Sequence, residues 1–170
     1  MRPISENEIR ACFVNCSKGE AGRLGLPRDL AELPWADLDF LGWRDPGAPQ
    51  RGYLVAERGD RLVGISLRAA SGTARGFTAR SICTICKTTR TGGGVALLSA
   101  RRAGEPGRNG NTVGQYICSD LACPLYVRGR KISAGTLLDE TLDEQSRIER
   151  MHRGLNAFVD KVLATSDLPA

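Results

Sequence analysis

The chain has 170 residues, 41% hydrophobic and 25% charged, the values of an ordinary globular protein long enough to form one compact core without needing metal merely to reach a foldable size. No run approaches the roughly 18 apolar residues that span a bilayer, and residues 1–10 are polar and interrupted by Pro3, without an apolar h-region, so the expectation is a soluble cytoplasmic protein. The net charge of +5 is unevenly spread, since residues 61–131 hold 12 of the 24 Lys and Arg but only two acids, Glu105 and Asp120, a basic surface suited to a polyanion or an acidic protein face.

Ser5 with Glu8 forms a capping box, and Ile9, Cys12, Phe13 and Cys16 then recur at helical spacing, which predicts an N-terminal helix ended by Leu24-Gly25-Leu26-Pro27. Cys12 and Cys16 read as core residues, because free cysteine packs as a small hydrophobe. Residues 34–43 predict a packed connector holding both tryptophans. Asp37 and Asp39, alternating with Leu38 and Phe40, read as its wet side, not as a pair for acid–base work, and Pro46, Gly47 and Pro49 mark a loop. Residues 53–57 and 61–68, separated by Arg58-Gly59-Asp60, predict a hairpin in which that tripeptide serves the turn and not cell adhesion. A loop is expected over 69–77.

Two cysteine pairs dominate the centre of the chain. Cys83-Thr84-Ile85-Cys86 has the spacing of a zinc knuckle, a tight turn that aims two thiolates at one ion. Cys118-Ser119-Asp120-Leu121-Ala122-Cys123 follows a strand-like run over 112–117 and opens a segment that Ser119 or Asp120 would cap as a helix. Between the pairs, Gly92-Gly93-Gly94 lacks the Lys-Ser/Thr of a phosphate-binding loop and predicts a turn into a strand over 95–100, while the polar stretch 101–111 predicts a loop to the next strand. Four thiolates complete a tetrahedral shell, so Cys83, Cys86, Cys118 and Cys123 predict one structural zinc, and the order knuckle, hairpin, helix describes a treble-clef finger. With no export signal, disulfides are the weaker reading.

Toward the C-terminus, Thr141 with Glu144 forms a second capping box, and Ile148, Met151, Leu155, Phe158, Val159 and Val162 make a long helical stripe. His152, the single histidine, reads as a surface residue of that helix. Catalysis finds no support: zinc chemistry needs an open coordination position, no general-base glutamate adjoins either cysteine pair, and a Cys–His nucleophile would have to recruit His152, which lacks any local signature.

The hairpin, the Cys-x-x-Cys knuckle, the Gly-rich loop, Cys118 to Cys123 and the following Tyr126-Val127-Arg128-Gly129-Arg130-Lys131 together resemble the C-terminal treble-clef domain of elongation factor G-binding proteins, the fusidic-acid-resistance or FBP-type family, over roughly residues 50–165. Asn15-Cys16-Ser17-Lys18-Gly19-Glu20, Leu38-Asp39-Phe40-Leu41-Gly42-Trp43-Arg44-Asp45-Pro46 and Cys118 to Cys123 further resemble stand-alone members found in high-GC Gram-positive bacteria, which extends the likeness through most of the chain. The resemblance implies a zinc-held surface that grips the translocase on the ribosome and helps it leave when stalled, with the same four cysteines as ligands. The sequence departs from the resistance proteins in lacking their N-terminal helical bundle and in its wider second pair, and the first difference bears on drug protection more than on factor or ribosome binding.

The expectation is therefore a single α+β domain over 1–170, with an N-terminal helix and connector in 1–50, a hairpin plus four-cysteine treble-clef zinc finger of antiparallel strands in 51–131, and a long C-terminal helix in 141–164. It is expected to be a non-enzymatic binding protein for elongation factor G or the ribosome that modulates factor release, with direct ribosomal RNA binding as the competing reading and no membrane or small-molecule substrate. Thr84, Ile85 and Lys87 at the knuckle tip, with Arg101, Arg102, Arg128, Arg130 and Lys131, are the expected contact residues.

Overall fold

A computed structural model describes residues 1–70, 81–132 and 141–164. The alternating apolar pattern of the hairpin sequences builds a five-stranded antiparallel sheet from β1 (Phe40–Arg44), β2 (Arg51–Arg58), β3 (Arg61–Ala69), β6 (Val95–Arg101) and β7 (Thr112–Cys118), in the order β1-β2-β3-β6-β7. A two-stranded ribbon, β4 (Ser81–Ile82) with β5 (Thr89–Arg90), frames the first cysteine pair. Among the described residues the expected loop over 69–77 is visible only at its start, where Ala69 ends β3; residues 71–77 lie outside the description.

Each face of the sheet buries a different layer. Phe40, Leu54, Ala56, Val63, Ile65, Leu67 and Leu98 face the C-terminal helix α5 (Glu144–Leu163) and the four clustered cysteines. Helix α5 turns Met151, Leu155, Phe158, Val159 and Val162 inward, as the stripe predicts, and spans about 30 Å at ~1.5 Å per residue. Arg58, the last residue of β2, donates to Asn156 (2.8 Å) and Asp160 (2.6 Å), which ties the hairpin to that helix. On the opposite face Leu41, Trp43, Tyr53 and Val55 pack under Ile9, Ala21, Leu24, Trp35 and Leu38 of the N-terminal segment. Helix α4 (Cys123–Val127) follows β7, and the short α3 (Gly104–Arg108) falls inside the stretch expected as a loop.

The single N-terminal helix resolves into two. Helix α1 (Glu6–Ala11) carries the expected Ser5–Glu8 capping box, and a second box, Ser17–Glu20, starts α2 (Lys18–Arg23). The intervening residues leave helical geometry because β3 offers them partners: Val14 N–H donates to the Gly64 carbonyl at 3.0 Å, and Gly64 N–H to that of Cys12 at 2.9 Å. Cys12 and Cys16 nonetheless pack against the second core, and burial pushes their thiols up to about 12 and about 11. The connector contains β1, an edge strand paired along its whole length with β2. Helix α5 is capped by Asp143, whose carboxylate accepts from Ser146 N–H at 2.7 Å, and not by Thr141, which lies outside its first turn.

Candidate metal centre

Two tight turns deliver the four sulfurs. In the first, Cys86 N–H points at Cys83 Sγ (3.5 Å), Lys87 N–H bonds the Cys83 carbonyl (2.9 Å), and Lys87 takes the left-handed conformation (φ 61°) that closes a knuckle. The second turn, Cys118-Ser119-Asp120-Leu121, is one residue shorter, with Leu121 N–H on the Cys118 carbonyl (2.8 Å) and Leu121 left-handed (φ 59°). Two further residues then place Cys123 at the start of α4, where Pro124 suits the first helical turn because it has no N–H to leave unpaired. The wide second spacing is thus a tight turn followed by a helix start. Neither Ser119 nor Asp120 caps α4. Instead Asp120 accepts from Ala122 N–H (3.3 Å) and from the Tyr126 hydroxyl (2.6 Å), which holds α4 against the turn.

The ligand atoms of Cys83, Cys86, Cys118 and Cys123 all lie within 4.8 Å of one another, and all four residues are fully buried. The Cys83–Cys123 and Cys86–Cys118 sulfurs are 3.7 and 3.6 Å apart. A tetrahedral zinc with Zn–S bonds near 2.3 Å has edges of about 3.8 Å, so the quartet matches one such ion, whereas a disulfide would need about 2.05 Å. Four thiolates fill the shell and leave no position for substrate or water, which makes this a structural zinc centre. A dication also reconciles their ionisation, since four buried thiolates this close together repel one another unless a positive ion stands between them.

The centre is locked to the rest of the protein at two glycines. A Cβ at Gly154 of α5 would stand 2.6 Å from the Ile85 carbonyl oxygen, so the helix lies directly on the first knuckle. One at Gly42 of β1 would stand 2.5 Å from the Leu121 carbonyl oxygen, so the edge strand lies directly on the second turn. Arg90, nearly buried, stacks over the Tyr126 ring at 4.0 Å and sits in the field of Cys118 and Asp120, a positive charge beside a zinc tetrathiolate whose net charge is negative.

These contacts redistribute the expected surface residues. Lys87 and Arg101 are exposed, and so are Arg130, which pairs with Asp37 at 3.5 Å, and Lys131, which pairs with Asp120 at 2.9 Å. Arg102 is partly covered, its N–H on the Asn111 carbonyl. Thr84 is partly covered, donating through both N–H and hydroxyl to the Tyr116 carbonyl. Ile85 is a correction: it lies under α5 with no exposed surface and cannot shape a contact tip. Arg128 is another, for its side chain is only 12% exposed and grips both oxygens of Asp39 at 2.5 and 3.1 Å. His152 completes that cluster through Nε2 on Asp39 at 2.7 Å, so the histidine expected to stand alone joins α5 to the connector and α4. Burial works against the Asp39 charge, but the hydrogen bonds from Arg128 and His152 outweigh it and hold the carboxyl below its usual range.

Sequence reasoning passed over Leu97 and Tyr116, cross-strand partners on the outer face of β6 and β7 that remain 38% and 45% exposed. Their signal was the strand alternation itself, which sets them on the side away from Leu98 and Ile117. Among the described residues no helix is long and apolar enough to cross a membrane. No curated protein and no solved structure shows a significant match to the chain. The sequence pattern of one zinc-finger family does match, over residues 8–162, and so takes in the N-terminal helices as well as the metal centre. With its knuckle, hairpin and short helix around four buried cysteines, the chain belongs to the FBP C-terminal treble-clef zinc-finger family.

Proposed function

We propose that this protein is a cytoplasmic, non-enzymatic binding module that engages elongation factor G, alone or on the ribosome, and modulates release of the factor. The observation that carries this reading is the exposed apolar pair Leu97–Tyr116 beside the knuckle. Zinc fixes the backbone there, because Thr84 of the knuckle is bonded to Tyr116, and Ile82, two residues before Thr84, adds a side chain 58% exposed. Protein interfaces combine a small apolar centre, often with tyrosine, and a polar rim. Lys87 and Arg101 supply basic rim groups, which steer encounter with an acidic partner more than they add to affinity.

Titration of purified protein against elongation factor G across a several-fold range of salt tests the reading. An apolar-centred interface keeps most of its affinity as salt rises and loses at least about tenfold in a Tyr116→Asp variant. No complex at low salt would refute factor binding and leave RNA as the partner, with the steep log-linear salt dependence of counterion release.

A further inference from the structure

On the face of the sheet away from zinc, β3 and β6 are paired, among the described residues, at Arg68↔Ser99 and Ala69↔Leu98. Asn15, in the link between α1 and α2, bridges the two strands: its amide donates to the Ser66 carbonyl (2.9 Å) and the Arg101 carbonyl (3.0 Å), and its oxygen accepts from Ser66 N–H (2.8 Å). The result is a groove of about 430 Å³ whose lining includes Arg23, Arg51, Arg68 and Arg101.

The charges in this groove oppose the fold. Arg51 and Arg68 stand directly opposite each other in the β2–β3 ladder, and like charges at such positions destabilise a sheet. Arg101 lies two residues along β6 from Ser99, the cross-strand partner of Arg68. Among the described residues no carboxylate forms an ion pair with any of the four arginines. The one acid in the lining, Glu20, directs its carboxylate to Ser17 N–H and hydroxyl, both at 2.8 Å, and interacts with Arg101 and Arg23 by charge alone, which leaves a net excess of three positive charges in the lining. Four guanidinium groups around one polar groove form the donor set that phosphate oxygens complement, since each planar fork offers paired N–H groups to an oxyanion.

We propose that this groove binds phosphate groups, presented either by the backbone of a single RNA strand or by a free polyphosphate. The site adjoins the Leu97–Tyr116 surface and shares Arg101 with its rim, and its ligand adds to the proposed protein partner without depending on it.

Two probes separate the sources: a fluorescein-labelled ten-nucleotide oligouridylate followed by anisotropy, and inorganic pyrophosphate followed by calorimetry. The variant is Arg51→Ala/Arg68→Ala. Binding of the oligonucleotide at least about tenfold weaker in the variant, with a log K against log salt slope shallower by about 1.4, supports the site with an RNA strand as its ligand. Pyrophosphate binding that the variant removes supports it with a free phosphate. The unliganded variant should keep its zinc and be no less thermally stable, because it is relieved of cross-strand repulsion, whereas purely structural arginines would leave it destabilised. Failure of both probes to bind the wild type at low salt, or equal affinity and slope in the variant, overturns the proposal. Titration of the same variant with elongation factor G keeps the two readings apart, since an unchanged factor affinity leaves the apolar surface standing whichever way the groove falls.

Discussion

Replacing Gly154 by alanine sets two physical effects against each other. Alanine is the better helix former by about 1 kcal/mol, so propensity alone predicts a more stable α5. The structure predicts the reverse. The new Cβ would lie 2.6 Å from the Ile85 carbonyl oxygen, 3.0 Å from Ile85 Cα and 3.1 Å from the Thr84 carbonyl oxygen, all of them backbone atoms of the knuckle. Ordinary carbon–oxygen contacts begin near 3.3 Å, so α5 must lift by roughly 0.7 Å. A gap of that size forfeits a quarter to a half of the dispersion energy along the buried row Met151, Leu155 and Phe158. Overpacking of this kind costs about 1–3 kcal/mol, and after the propensity gain the net loss is about 0–2 kcal/mol. For a chain of this length that lowers Tm by up to about 8 °C. Thermal unfolding of the zinc-loaded protein measures the effect, and Gly22→Ala in α2, where nothing lies within 4 Å of the added carbon, provides the control with an unchanged or higher Tm. A Gly154→Ala protein more stable than the wild type by the full propensity gain of about 1 kcal/mol would refute the direct seating of α5 on the knuckle.

Arg128→Ala should destabilise the protein by about 2–3 kcal/mol, because it leaves the Asp39 carboxylate, 10% exposed, with its His152 hydrogen bond but without the guanidinium fork, and a denaturation midpoint within error of wild type would show that the pair is not needed. Arg130→Ala, with a side chain 61% exposed, should change stability by no more than about 1 kcal/mol in the same assay. Asp39 should also shape the acid limb: because its folded pKa is depressed, its contribution is present above the unfolded value near 4 and is lost as pH falls through the lower folded value. Stability measured from pH 6 downward should therefore fall less steeply in Asp39→Asn than in wild type, and parallel curves would contradict the assignment.

The metal centre was legible because its chemistry is local: two pairs of cysteines with short spacings carry their meaning without knowledge of the fold. The α5 stripe was legible for a similar reason, as one uninterrupted 3.6-residue period records one buried face. The split after α1 was hidden, because Ile9, Cys12, Phe13 and Cys16 keep helical spacing through residues whose backbone is claimed by Gly64 of β3. Strand β1 was obscured by Phe40-Leu41-Gly42-Trp43, a run apolar on both sides because it is covered on both. Position in a Cys-x-x-Cys turn said nothing of the helix that seals Ile85, since Gly154 is 69 residues away. Arg128 looked like one more basic surface residue for the same reason, its partner Asp39 lying 89 positions earlier.

The zinc stoichiometry of purified protein, compared with that of Cys83→Ser and Cys12→Ser, tests the central claim most directly. Wild type and Cys12→Ser should each hold one zinc per chain, because Cys12 packs in the second core, while Cys83→Ser should lose the metal and with it folding-coupled stabilisation on the order of 10 kcal/mol. Undiminished zinc in Cys83→Ser, or zinc-free wild type that folds with the same stability as the loaded protein, would contradict a structural centre built from Cys83, Cys86, Cys118 and Cys123.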